Sequence, residues 1–167
     1  MKRILTLVAM IGASWCVMTL THEVGHILGG WCCGATLTDY DLLPWHLPYS
    51  FFEPDPLPLV TLWAGPILGV IVPMVIALAV RRDWAWFIAY FCLLANGAYI
   101  AVGWYSGDAE LDTSKLIRNG AHPFSILLYC FATIVFGYAG FRRVCLQMFG
   151  ALHRKRVSLE SSTNEES

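Results

Sequence analysis

Residues 4–30 read ILTLVAMIGASWCVMTLTHEVGHILGG: an apolar run to Leu20 that continues through two histidines and a glutamate to Gly30. As a helix this stretch is about 40 Å long at 1.5 Å per residue, enough to cross a bilayer core of about 30 Å. Glu23 is its only certain charge. An ionisable side chain at membrane depth costs a few kcal/mol or more, so His22, Glu23 and His26 are functional candidates from the outset.

Composition agrees with a membrane setting. The 167 residues are 57% apolar and 14% charged, against about 25% charged in an ordinary soluble domain. A formal net charge of −1 argues against nucleic acid as a partner, because that binding needs a basic face. The six cysteines do not form a disulfide framework. Cys16, Cys92 and Cys130 fall in apolar runs, and Cys32 and Cys33 are adjacent.

Four stretches are long and apolar enough to span, at about 4–29, 57–80, 84–106 and 123–141. They predict an all-α membrane protein with four transmembrane helices. A loop rich in aromatics and proline joins helices 1 and 2, and its rings suit the headgroup interface. The loop either dips into the membrane or covers the helices. The first span lacks a small-residue cleavage site and is expected to stay uncleaved. Residues 1–141 form one polytopic domain. Residues 142–167 give a basic juxtamembrane piece and then a polar tail, SLESSTNEES, expected to be disordered. Nine of the eleven lysines and arginines fall on one side of this arrangement. The positive-inside rule then predicts a multi-pass protein of the cell (inner) membrane with both termini cytoplasmic.

Residues four apart share a helix face, so His22 and His26 can present their imidazoles to one ion. Glu23, one position along, can reach a water on that ion without serving as a ligand. This is the H-E-x-x-H pattern of two zinc ligands and a general base. Zinc acidifies its water, and the glutamate takes the proton as the water attacks a carbonyl. A solvated helix face is ruled out by the flanks CVMTL and ILGGW.

A catalytic zinc usually has three protein ligands. Helices 1 and 3 run the same way, so AVGWYSGDAELD at the end of helix 3 reaches the membrane face that holds the histidines. Asp108 is the favoured third ligand. Asp112, one turn further, is its rival, and Glu110 points away from both. His46 and Glu53 in the loop are weaker candidates. Asn96 in mid-span either hydrogen-bonds a substrate backbone or the scissile carbonyl oxygen, or makes an interhelical hydrogen bond. The glycines of GHILG (25–29) and GPILG (65–69) are read as close packing between helices 1 and 2.

With THEVGHILGG late in the first span, LWAGPILG in the second and SGDA after the third, the chain resembles the site-2-protease-like intramembrane zinc metallopeptidases. The resemblance covers about residues 15–112. It implies Zn²⁺ held by His22, His26 and Asp108, with Glu23 activating water. It also implies substrates that are single-span or membrane-adjacent proteins. The chain departs from the family in having SGDAELD where better-known members carry an LDG segment. No separate substrate-selecting domain is expected within these residues, and the charge pattern places the site toward the outside. The expected function is intramembrane zinc-dependent peptide hydrolysis. The alternative is a non-catalytic membrane protein with a structural, sensing or transport metal site.

Overall fold

The computed structural model describes residues 4–150 with their side chains. The backbone is described from Lys2 to Glu165, so the polar tail read above as disordered is helical to Glu165, while its side chains lie outside the described residues. The element order is α1 (Lys2–Cys32), β1 (Leu37–Asp41), β2 (Tyr49–Phe52), α2 (Pro58–Val80), α3 (Asp83–Ser106), α4 (Asp112–Arg118) and α5 (Pro123–Glu165). α1, α2, α3 and α5 lie over the four expected spans, and each contains a segment long and apolar enough to cross a membrane. Arg142 and Arg143 continue α5 rather than leaving it.

Large apolar side chains stay exposed along all four long helices, among them Val8, Trp15, Ile71, Val75, Val102, Phe131 and Phe136. A water-soluble monomer rarely shows so continuous an apolar surface. Together with the four apolar helices, this fits a multi-pass all-α membrane protein.

Small residues bring the helices together, as expected where lipid is as apolar as the side chains and close van der Waals approach supplies the attraction. A Cβ on Gly25 of α1 would stand 2.7 Å from the Ala64 carbonyl oxygen of α2. One on Gly137 of α5 would stand 2.6 Å from the Leu94 nitrogen of α3. Ile100, Leu116 and Ile126 form a fully buried cluster that joins α3, α4 and α5.

Local chemistry sets the element ends. Pro58 opens α2, where its missing N–H costs nothing. Asp55 Oδ1 accepts from the Leu57 N–H (3.2 Å) and from Thr61 Oγ1 (3.1 Å) beside that first turn. α3 stops at Gly107, whose φ of 64° is left-handed and suited to glycine; its N–H returns to the Gly103 carbonyl. The chain then turns back into α4.

The loop between α1 and α2 is an antiparallel hairpin, with Leu37 opposite Phe52 and Asp41 opposite Tyr49. Near its tip, the Pro44 carbonyl accepts a 2.8 Å hydrogen bond from Trp15 Nε1. Trp15 is about 25 Å along α1 from its end at Cys32, by helical rise. The hairpin therefore lies back along α1 and reaches the middle of that span.

Candidate metal centre

The two histidines and the glutamate occupy consecutive turns near the end of α1. All three are buried: His22 4% exposed, Glu23 7%, His26 4%. Their potential donor atoms lie within 4.8 Å of one another.

Each imidazole is oriented from behind. His26 Nδ1 is 2.8 Å from the Thr61 carbonyl oxygen. That oxygen can only accept, so Nδ1 carries the hydrogen and donates it. Asn96 donates from Nδ2 to the Cys92 carbonyl (2.9 Å), which turns its Oδ1 toward His22 Nδ1 at 2.7 Å. His22 Nδ1–H donates there in the same way. Both Nε2 atoms are thus presented forward. This is the arrangement in which outer groups fix a metal-binding imidazole's tautomer.

The two Nε2 atoms stand 3.1 Å apart. Asp112 Oδ2 completes a triangle with them, 2.8 Å from His22 Nε2 and 3.2 Å from His26 Nε2. Three electron-rich atoms this close repel unless positive charge, from protons or a cation, lies among them. Burial by itself would raise the Asp112 carboxyl. The imidazoles, His26 foremost, outweigh burial and hold it well below the usual carboxylate range.

Asp112 is the first residue of α4, and two contacts fix its position. Thr113 Oγ1 donates to the Ile100 carbonyl of α3 at 2.7 Å, and Leu116 is fully buried in the cluster beneath. The sequence-based preference for Asp108 is therefore corrected: the structure brings Asp112, not Asp108, to the histidines. Asp108 is exposed in the turn after Gly107, where its Oδ1 accepts from the Glu110 N–H at 3.0 Å. α3 ends before Asp108, and the left-handed turn returns the chain so that the next helix, rather than the end of α3, faces α1.

Asn96 is fully buried behind His22 and holds that ring. It does not line the cavity described below, so of its two sequence readings the structure gives the interhelical bond, with His22 as the partner. His46 sits at the hairpin tip, with Nδ1 3.0 Å from Asp41 Oδ2. Glu53 is exposed.

The GPILG glycines also have a more specific role than helix packing. A Cβ on Gly65 would overlap the His26 ring, and one on Gly69 would stand 2.8 Å from Asn96 Oδ1. Thr61, Gly65 and Gly69, four apart on α2, form a bed for the histidine and the asparagine. Three contributors escaped the sequence reading. Thr61 acts through its carbonyl, which no side-chain pattern reports. Ser50 of β2 donates to Glu23 Oε2 at 3.2 Å from 27 positions away. Tyr99 packs edge-on against His22, ring centroids 5.3 Å apart. Its spacing of three from Asn96 on one helix face was the available signal.

A cavity of about 510 Å³ opens onto Glu23, His26 and Asp112. β2 forms one wall, and the start of α2 with α4 forms the others. The arrangement offers three convergent donor atoms, a carboxylate beside them and a space large enough for several residues of an extended peptide. Comparison of the chain with protein-family models, with curated proteins and with solved structures finds no match.

Proposed function

We propose that this protein is an intramembrane zinc metallopeptidase that hydrolyses peptide bonds of membrane or membrane-adjacent proteins. The observation that carries the reading is the triangle of His22 Nε2, His26 Nε2 and Asp112 Oδ2, with edges of 2.8–3.2 Å beside the Glu23 carboxylate. Two imidazole nitrogens and one carboxylate oxygen suit zinc and leave a position open. A tetrahedral ion with bonds of about 2.0–2.1 Å sets its donors about 3.3 Å apart, so the donor set fits with small adjustments. The ligands in this proposal are His22, His26 and Asp112.

When bound, zinc supplies a Lewis acid that polarises a peptide carbonyl and acidifies water. Glu23 takes the proton from the attacking water and delivers it to the departing amine. Asn96 and the Thr61 carbonyl keep the imidazoles aimed, and Ser50 keeps the Glu23 carboxylate turned toward the cavity. The substrate enters as an unwound segment, since a helix hides its carbonyls in its own hydrogen bonds. The lysine and arginine pattern supports an inner-membrane orientation with both termini cytoplasmic and the site toward the outer face.

The test uses purified full-length protein with a panel of single-span substrates. Glu23→Gln retains one zinc per chain and loses cleavage, whereas His22→Ala loses both. Cleavage that survives Glu23→Gln would overturn the reading.

A further inference from the structure

The cavity holds one lysine or arginine among its described lining residues, Lys115. It lies on α4 three positions after Asp112, hence on the same helix face one turn along. Its ammonium sits 5.4 Å from the centroid of the Phe51 ring of β2, so it bridges the two walls of the cavity. The acids around it are largely committed. Asp112 and Glu23 belong to the metal site. Asp55 Oδ1 is engaged by the Leu57 N–H and the Thr61 hydroxyl. Among the acids of the described residues only Glu110 meets Lys115, with Oε2 3.8 Å from Nζ. Its side chain is 69% exposed while that of Lys115 is 29% exposed. An ion pair so long, with one partner so open to solvent, is weak and easily exchanged.

We infer that Lys115 is a carboxylate-binding subsite next to the metal centre, and that Glu110 stands where a substrate carboxylate belongs. This rests on the peptidase reading and adds a substrate class to it: segments with a carboxylate close to the scissile bond. One helical turn separates Lys115 from Asp112, about 5–6 Å between Cβ atoms. An extended peptide advances about 3.3 Å per residue, so the carboxylate falls about one or two residues from the bond that is cut. An acidic side chain and a free chain terminus offer the same group.

Binding separates these possibilities without requiring turnover. The zinc-loaded Glu23→Gln full-length protein in detergent micelles is titrated with three fluorescein-labelled apolar octapeptides. One carries a glutamate and an amidated end, one a glutamine and an amidated end, and one a glutamine and a free C-terminal carboxylate. The expected result is that one or both carboxylate peptides bind about tenfold tighter than the neutral one. Which of the two does so identifies the source. Adding Lys115→Met removes the preference, Lys115→Arg keeps it, and Glu110→Gln strengthens binding of the acidic peptides severalfold by removing the internal competitor. Equal binding of all three peptides overturns the subsite and leaves the peptidase reading standing. So does a preference that survives Lys115→Met, or acidic binding unmoved by Glu110→Gln. Failure of every peptide to bind overturns both. If Lys115→Met does not fold, the Glu110→Gln measurement still decides.

Discussion

Gly65 of α2 and His26 of α1 share one volume: the imidazole fills the space that a Cβ on Gly65 would take. Gly65→Ala must push the ring away from the Thr61 carbonyl or separate the helices, and such overpacking typically costs about 1–3 kcal/mol. The expected outcome is loss of zinc from the purified protein with the helical circular dichroism kept. Gly12→Ala, where a Cβ meets nothing within 4 Å, serves as the control and keeps its zinc.

Asp112→Ala and Asp108→Ala separate the two carboxylates. If the proposed zinc is bound, removing one of three donors from the triangle is expected to reduce it to background by elemental analysis, whereas Asp108→Ala is expected to leave one ion per chain. The reverse pattern would return the third position to Asp108.

Asn96→Leu removes the acceptor that holds His22 Nδ1–H. Loss of such an outer partner lowers metal affinity about 10–100-fold. Competition against a zinc chelator measures it. Asn96→Asp, which retains an acceptor oxygen, should keep more of the affinity than the leucine variant.

Trp15→Phe deletes the 2.8 Å hydrogen bond to Pro44 and keeps an aromatic ring in place. A typical hydrogen bond contributes about 1 kcal/mol net, so the hairpin tip should open about fivefold more often. Limited proteolysis within residues 42–48 should accelerate by about that factor, and an unchanged rate would mean that the tip is held by other contacts.

The legible parts of this molecule were those whose signal is local. A spacing of four put His22 and His26 on one face, and apolar runs located the four long helices. The third donor, a carboxylate, depended on where α3 stops and how the chain turns, and Gly107 decides both. α4 is only seven residues, DTSKLIR, too short and polar for a hydropathy signal. Its position comes from Leu116 and Thr113 meeting residues of α3 and α5. The hairpin escaped because LTDYD and YSFF carry little alternation between apolar and polar positions. The glycines of α2 were visible, but which neighbours they admit was decided by contacts with α1 and α3.

The partners of the two histidines lie far downstream in the chain. His26 meets the Thr61 carbonyl 35 positions later. His22 meets Asn96 after 74 positions and Asp112 after 90. During synthesis α1 therefore emerges from the ribosome with its polar trio unmatched, and the trio is not fully matched until α4 is made. The cluster gains its partners in sequence, first one that orients a ring, then a second, and last the carboxylate. A newly made chain thus carries α1, α2 and α3 before its cluster of two imidazoles and a carboxylate is complete, a delay written into the order of its residues.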